Sequence, residues 1–487
     1  MILTALWLSS PVAFAAERVN VRAFGARGDG QTDDTAAISK AIGALKSGST
    51  LYFECGTYSI SGRLTTITAS PVAITGPPNC VVIKTVGVAG FAAIKISGGG
   101  TGPKIPLLSD AVEQEKQFTA DLQRAGIREG DYAVLSDNLP GSAGGNVEVV
   151  QVTRISGQSA TTADPVQVSF LRANGATIAK LENPITATVS NLRLDGSSST
   201  NHDSEGLSLV FAVNSSATGV TAKDFAQAAL VSKFGYNNVL RDIRIERAGS
   251  PDAGAVDIYA QNAMTVQDLS VINAAKNGFG VVLHQVHASK LSAISVAQNG
   301  APGRAFKLYR SCWNTITGLT VTGSGGEKNG LSVTLGSSHN VFANVTALNN
   351  SGLGIATFGD GNAFNTFIRP VSKYNTRQQF FQVPGSDDHL SIRGGDFCCS
   401  RGQGFSVVTI NSNDFSLDNA QLWDDQGLAI SGLSFGASLR PKVTNNRFRG
   451  FPSRLDIDTG SARQGSFLHN VTPDGVTNPD RSNTVAP

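Results

Sequence analysis

Six residues of this 487-residue chain combine reactive side chains with a nearly regular spacing: Lys233, Asp257, Tyr259, His284, Lys307 and Tyr309. An imidazole of ordinary pKa accepts a proton around neutrality. An ammonium that neutralises a substrate carboxylate acidifies the C–H beside it, and a phenol can protonate a departing oxygen. The set therefore fits abstraction of a carbon-bound proton followed by loss of a β-oxygen. On this assignment His284 is the base, Lys307 or Lys233 the neutralising cation, and Tyr259 or Tyr309 the acid. Asp257 orients the histidine or a lysine. Arg310 adds a cation only if its strand bends, because it shares the parity of the apolar Phe306 and Leu308. His287 falls on a turn position and reads as a turn residue.

The spacing belongs to a repeat. Val256, Val281, Phe306 and Leu331 stand 25 residues apart, each in a run with a small residue followed by apolar residues at alternate positions. That period of two marks a strand with one buried face. The file extends back to Leu230 and Leu207 and forward to Leu353. A second strand follows in each repeat, at Ile243, Leu269, Ile294, Leu319 and Val345. Asn237, Asn262, Asn314, Asn340 and Asn362 punctuate the turns, where asparagine tolerates a left-handed bend. A repeat this short cannot bury its own apolar face, so coils must stack into a parallel β-solenoid with rungs roughly 4.8 Å apart. Positions between the core residues then face solvent in two files. One runs Ser208, Val231, Asp257, Val282, Lys307, Ser332; the other runs Val210, Lys233, Tyr259, His284, Tyr309, Thr334. Tyr259 and Tyr309, two rungs or roughly 10 Å apart, suit a sugar held between aromatic edges.

A solenoid needs a cap at its open end. Ile38, Ala41, Ile42 and Leu45 form one apolar stripe of a short helix, with Thr32, Asp33 and Asp34 at its start. The run from Phe24 to Ile38, FGARGDGQTDDTAAI, resembles the N-terminal signature of the pectate-lyase-like, right-handed parallel β-helix proteins. That group includes polygalacturonases, polysaccharide lyases and epimerases, and phage tailspike depolymerases. The resemblance implies an all-β solenoid with a capping helix, and a role for Asp33 and Asp34 in the cap rather than in catalysis. It also implies a polysaccharide substrate, and the lysines make that substrate an acidic one containing uronic acids, cleaved by β-elimination. The same groups could return the proton from the opposite face, as in a C5-epimerase. Hydrolysis would need two carboxylates, and Asp257 has possible partners in Asp252, Asp224, Glu205 and Asp203. A non-catalytic polysaccharide-binding solenoid is a further alternative. The polygalacturonase pattern is not met: its coils carry Asn-Thr-Asp, Asp-Asp and Gly-His-Gly, where this chain reads Ser250-Pro251-Asp252, Lys276-Asn277 and Gly303-Arg304-Ala305. The Asp-Pro-His-Asp tetrad of the epimerases is absent as well.

The expected organisation is a signal peptide over 1–16, a cap and first coils over 17–100, an inserted β-rich subdomain over 101–190, the solenoid over 191–450, and a loosely ordered tail over 451–487. Within the insert, residues 110–125 read as helical. The opening stretch Ile2 to Leu8, followed by Ala13-Phe14-Ala15, fits an export signal and hence a secreted or periplasmic protein. No later segment approaches the roughly 20 apolar residues of a membrane span. The 53 glycines, without a G-X-Y period, exclude collagen and favour a turn-dense β protein. With 39 basic and 37 acidic residues, net +2, bulk charge does not point to nucleic acid. Cys55, Cys80, Cys312, Cys398 and Cys399 show no metal-ligand spacing, and Cys55 with Cys80 is the one pair considered for a disulfide. One carboxylate on the files is too few for a calcium site, so no metal or cofactor is expected.

Overall fold

Three parallel β-walls rise side by side around one apolar core, successive coils of the chain adding rungs to them. The computed structural model describes residues 17–487 except 88–89, 140–144, 200–203, 251–252, 275–277, 299–302, 384–387, 452–454, 478–481 and 487. The proposed leader, Asp203, Asp252, Lys276 and Asn277 lie outside the described residues. The architecture is the right-handed parallel β-helix.

The wall that carries the candidate residues runs through the strands Glu205–Val210, Leu230–Tyr236, Gly254–Asn262, Phe279–His287, Arg304–Tyr309 and Leu331–Thr334. Its register sets Leu207, Leu230, Val256, Val281, Phe306 and Leu331 in one internal file. All six are buried. Small residues accompany them because the inside has no room: a Cβ on Gly280 would lie 2.3 Å from a Val296 methyl. The file continues at Ile355, not at Leu353 as the spacing suggests, because the incoming loop shifts the register by two residues. Ile243, Leu269, Ile294 and Leu319 stack as expected in a second wall.

Asn237 takes the left-handed bend read from the sequence, with φ 52°, but Asn262, Asn314, Asn340 and Asn362 do not. Asn314, Asn340 and Asn365 form a buried ladder in which each amide donates to the next side-chain oxygen at 3.0 and 3.1 Å. Asn362 serves another turn, accepting from the Ser337 amide at 2.8 Å. The left-handed residues at this corner are Trp313, His339 and Phe364, immediately before each ladder asparagine. Side-chain hydrogen bonds thus hold the corner in place of a permissive residue type.

The helix Thr35–Gly43 caps the first coils with Ile38, Ala41 and Ile42 inward. Asp34 accepts from the Arg27 and Gly28 amides at 2.7 and 3.0 Å, and Asp33 from the Thr35 amide at 3.0 Å, so both carboxylates are used in building the cap. Cys55 and Cys80 are bonded across adjacent coils, the sulfurs of Cys398 and Cys399 are also brought together, and Cys312 is free and buried.

Between Gly100–Thr101 and Thr177–Glu182 the chain leaves the helix to form an antiparallel sheet with its own core around Leu135, Val152, Phe170 and Ile178. Residues 110–125 are turns and a strand, Gln117–Thr119, and not a helix. Burial of Phe118, Ala120 and Leu122 follows a period of two, which overrides the local charge content. Past 451, where a loose tail was expected, Leu455–Asp458 and Ser466–Leu468 add further rungs. Buried Ile457 and Phe467 extend the core, and Asn470 extends an asparagine ladder.

Candidate active site

Strand register fixes the order of the reactive groups. Lys233, Tyr259, His284 and Tyr309 occupy successive rungs of one outer file, and Asp257, Val282 and Lys307 successive rungs of its neighbour. They line an open groove of about 490 Å³ together with Phe234, Gly254 and Phe279. The groove ends where the files are covered: Ser208, Val231, Ser332 and Thr334 are buried, contrary to the expectation that the whole face is open. A second concavity of about 500 Å³ on the other side of the coils holds Asp242, Arg244 and Glu246. Its Arg244–Asp242 pair, at 4.0 Å, is solvent-exposed and has the character of an ordinary surface pair.

Each site strand bulges directly after the second file. Phe234, Ala260, Gln285, Arg310 and Leu335 all adopt positive φ, between 45° and 55°. Pairing resumes one residue later, at Gly235, Gln261 and Val286. The bulge turns a third residue of every coil outward. Arg310 reaches the outer side this way, but it is only 5% exposed: its Nη1 donates to the Gly145 carbonyl of the insert at 3.1 Å. Gln285 donates to the same carbonyl at 3.0 Å. The insert thus walls off the corner just past the second file, beside the groove.

That wall explains His287. It pairs with Asn262 at the end of its strand and is buried, its Nδ1 accepting from the Cys312 amide at 3.3 Å. Beside it Asn262 donates to Glu148 of the insert at 2.9 Å. Burial holds the His287 imidazole down at about 4 and pushes the Glu148 carboxyl up to about 8.

Phe211, Phe234, Tyr259, His284 and Tyr309 form a continuous ladder of rings, with successive centroids 5.2, 5.1, 4.8 and 4.5 Å apart. Both tyrosines meet the imidazole edge to face, so His284 itself fills the gap in which a sugar was expected. Its Nε2 is covered and has no hydrogen-bond partner. Burial, and then the charges of Arg310, Lys307 and Lys233, hold its pKa down at about 4, well below the ordinary imidazole value assumed from sequence. Burial raises the Tyr259 phenol, with Arg310 opposing.

Asp257 orients a lysine and not the histidine: its carboxylate lies 3.2 Å from Lys233 Nζ. Glu205 joins this charge cluster, its carboxyl raised by burial and by Asp257 and lowered by Lys233, Ser208 and Lys95. Asp224, another proposed carboxylate partner, is held at a different corner by Arg247 at 2.6 Å. Lys307 makes no ion pair with a carboxylate among the described residues, and its Nζ lies 5.1 Å from the ring centres of both Phe279 and Tyr309. Burial and Arg304 lower its pKa. Among the described residues the one cluster with metal-ligating atoms in mutual reach is Cys398, Cys399 and Asp425, on coils well beyond the groove.

Over residues 18–133 the sequence matches the family model described as rhamnogalacturonase A/epimerase, pectate lyase-like. The fold is the pectate-lyase-like parallel β-helix. Solved structures that share it include the tailspike protein gp49 from Pseudomonas phage LKA1, at 14% identity and TM-score 0.57, covering 91% of this chain and 83% of that one. The A-module of the mannuronan C-5 epimerase AlgE6 from Azotobacter vinelandii aligns at 14% identity and TM-score 0.51, covering 96% and 99%. The Gp54 tailspike of Acinetobacter baumannii bacteriophage AP22, solved with a capsular saccharide, aligns at 13% identity and TM-score 0.50, covering 96% and 76%. A comparison with curated sequences found no match. Likeness at such identities shows the fold alone, so what this helix does has to be argued from its groove.

Sequence reasoning missed Phe279 and Arg304. The signal was present: Gly254, Phe279 and Arg304 keep the 25-residue beat and share one register line.

Proposed function

We propose that this protein is a polysaccharide lyase that cleaves an acidic, uronic-acid-containing polymer by β-elimination. The carrying observation is the state of His284: neutral above about pH 4, set among three cations, and with Nε2 covered. A neutral ring with its hydrogen on Nε2 offers Nδ1 to the substrate as the base. So low a pKa makes a weak base in the empty groove. A substrate carboxylate beside Lys307 offsets the cationic field that depresses the imidazole, so the base strengthens as the correct substrate arrives. Lys307 neutralises the carboxylate and makes the C5 proton acidic; His284 removes that proton. Tyr259 or Tyr309 protonates the departing oxygen, and burial keeps the Tyr259 phenol in the protonated form an acid requires. Asp257 fixes Lys233 at the groove's edge, and Arg310 acts through its charge from beneath the insert.

One observation favours a second reading. Glu205 and Asp257 flank Lys233, and burial raises Glu205 toward the protonated form while Asp257 is ion-paired. A carboxylic acid raised by burial with a second carboxylate nearby is the pairing that glycoside hydrolysis uses. A screen of acidic exopolysaccharides for new near-ultraviolet absorbance and new reducing ends separates the two. Elimination yields both signals. Reducing ends without absorbance, lost in Glu205→Gln and Asp257→Asn but kept in His284→Ala, would establish hydrolysis. Residues 1–16 support export as part of this proposal, and no helix among the described residues is long and apolar enough to cross a membrane.

A further inference from the structure

Two cations stand at the Phe279 end of the groove, Lys307 lining it and Arg304 beside it, with no ion pair to a carboxylate among the described residues. Arg304 and Lys307 are both half-buried. Burial lowers the Arg304 pKa with no compensating charge, and Arg304 in turn lowers that of Lys307. Holding two like charges together out of water without an anion costs folding free energy. Both lie against one ring: Arg304 Cζ is 5.6 Å and Lys307 Nζ 5.1 Å from the Phe279 centroid. On the rung below, Gly254 has no side chain to cover that ring, and a Cβ there would come 2.5 Å from the Val256 carbonyl oxygen. At the other edge of the groove, Lys233 is paired with Asp257. The groove therefore has a charge-balanced edge and a cationic end.

Resting on the lyase reading above, we infer that Arg304, Lys307 and Phe279 form a remote subsite for an anionic sugar, so that the polymer lies along the strands from His284 toward Phe279. Lys307 Nζ lies 5.1 Å from the ring centres of both Phe279 and Tyr309, and the Tyr309 ring lies 4.5 Å from that of His284, so the Phe279 ring is at most about 15 Å from the imidazole, a limit that still leaves room for more than one sugar ring. Phe279 offers an apolar face to the sugar, and Arg304 a planar fork that matches a carboxylate. Lys307 stands between the two ends and is shared by the reacting sugar and the remote one. The subsite thus makes the protein select for length and for charge away from the cleaved bond.

The test is calorimetric binding of oligogalacturonates and oligomannuronates of two to six sugars, and of their carboxyl-reduced counterparts, to the full chain and to Arg304→Gln, Arg304→Lys and Phe279→Ala. Binding is read without turnover, so a protein that binds but does not cleave defeats the lyase reading and leaves the subsite standing. The expected result is about tenfold weaker binding of acidic oligomers of four or more sugars to Arg304→Gln, the size of one lost charge-assisted contact. Arg304→Lys recovers part of the loss, disaccharide binding changes less than twofold, and carboxyl-reduced oligomers bind weakly to all forms. Equal losses for long and short oligomers, equal losses for acidic and reduced ones, or no binding of any oligouronate by the unaltered protein would each overturn the subsite. Far-ultraviolet dichroism and the melting temperature of each variant confirm that the fold is unchanged.

Discussion

Replacing Lys307 by Gln should move the titration of His284 by an amount that the register allows one to estimate. His284 pairs directly with Tyr309, so Lys307 lies one rung up and two residues along the strand, roughly 8 Å away. At an effective dielectric near 20, a unit charge at that distance contributes about 2 kcal/mol, and partial exposure to solvent reduces this to about 1. The His284 pKa should therefore rise from about 4 to about 5. It should not reach the ordinary 6.5, because burial is the largest cause of the depression and Arg310 and Lys233 remain. Proton NMR of the imidazole carbons measures this, with His284→Gln assigning the resonance among six histidines and Lys290→Gln, on another wall, as a control. Wild-type titration near 6.5, or no change in Lys307→Gln, would refute the electrostatic account of the groove. The same depression has a stability consequence. Between about pH 6.5 and 4 the unfolded chain binds a proton that folded His284 does not, so stability falls on acidification through that window.

Phe306→Ala should lower unfolding stability by about 3 to 5 kcal/mol, read from denaturant midpoints, because the side chain is wholly buried in the internal file. Glu148 provides a pH test of insert docking. Its folded pKa, about 8, lies above the ordinary 4.5, so its contribution is full below pH 4.5 and is lost as pH rises through 8. Glu148→Gln should flatten that alkaline decline, with hydrogen exchange over 147–152 as the local readout. Activity should survive chelator treatment, since lysines supply the neutralising charge; loss in chelator with recovery on added Ca²⁺ would contradict this.

The core file and both outer files were legible because a period of two, repeated every 25 residues, fixes facing and rung together. Leu353 was misplaced because the loop before Ile355 alters the count, and spacing alone carries no information about loop length. The bulges were hidden because Ala260, Gln285 and Arg310 hold left-handed positions without being glycine or asparagine. The burial of His287 could not be read locally, since Glu148 and Val149, which cover that corner, come from a module more than a hundred residues earlier. The role of Asp257 was left open between a histidine and a lysine, and only its 3.2 Å contact with Lys233 decided it. The depressed pKa of His284 arises from burial and three cations; its tyrosine neighbours and the two lysines were legible on the files, whereas the depth of burial and the reach of Arg310 past a bulge were not.

The most direct measurement of the central claim is formation of the unsaturated uronyl product by wild type and by His284→Ala under single-turnover conditions, on whichever acidic polymer the screen identifies. Near-ultraviolet absorbance should grow in step with reducing ends, and His284→Ala should lower the rate by about 10² to 10⁴, with the fold intact because the ring projects away from the core file. Wild-type rates in His284→Ala, or reducing ends that appear without the chromophore, would contradict it.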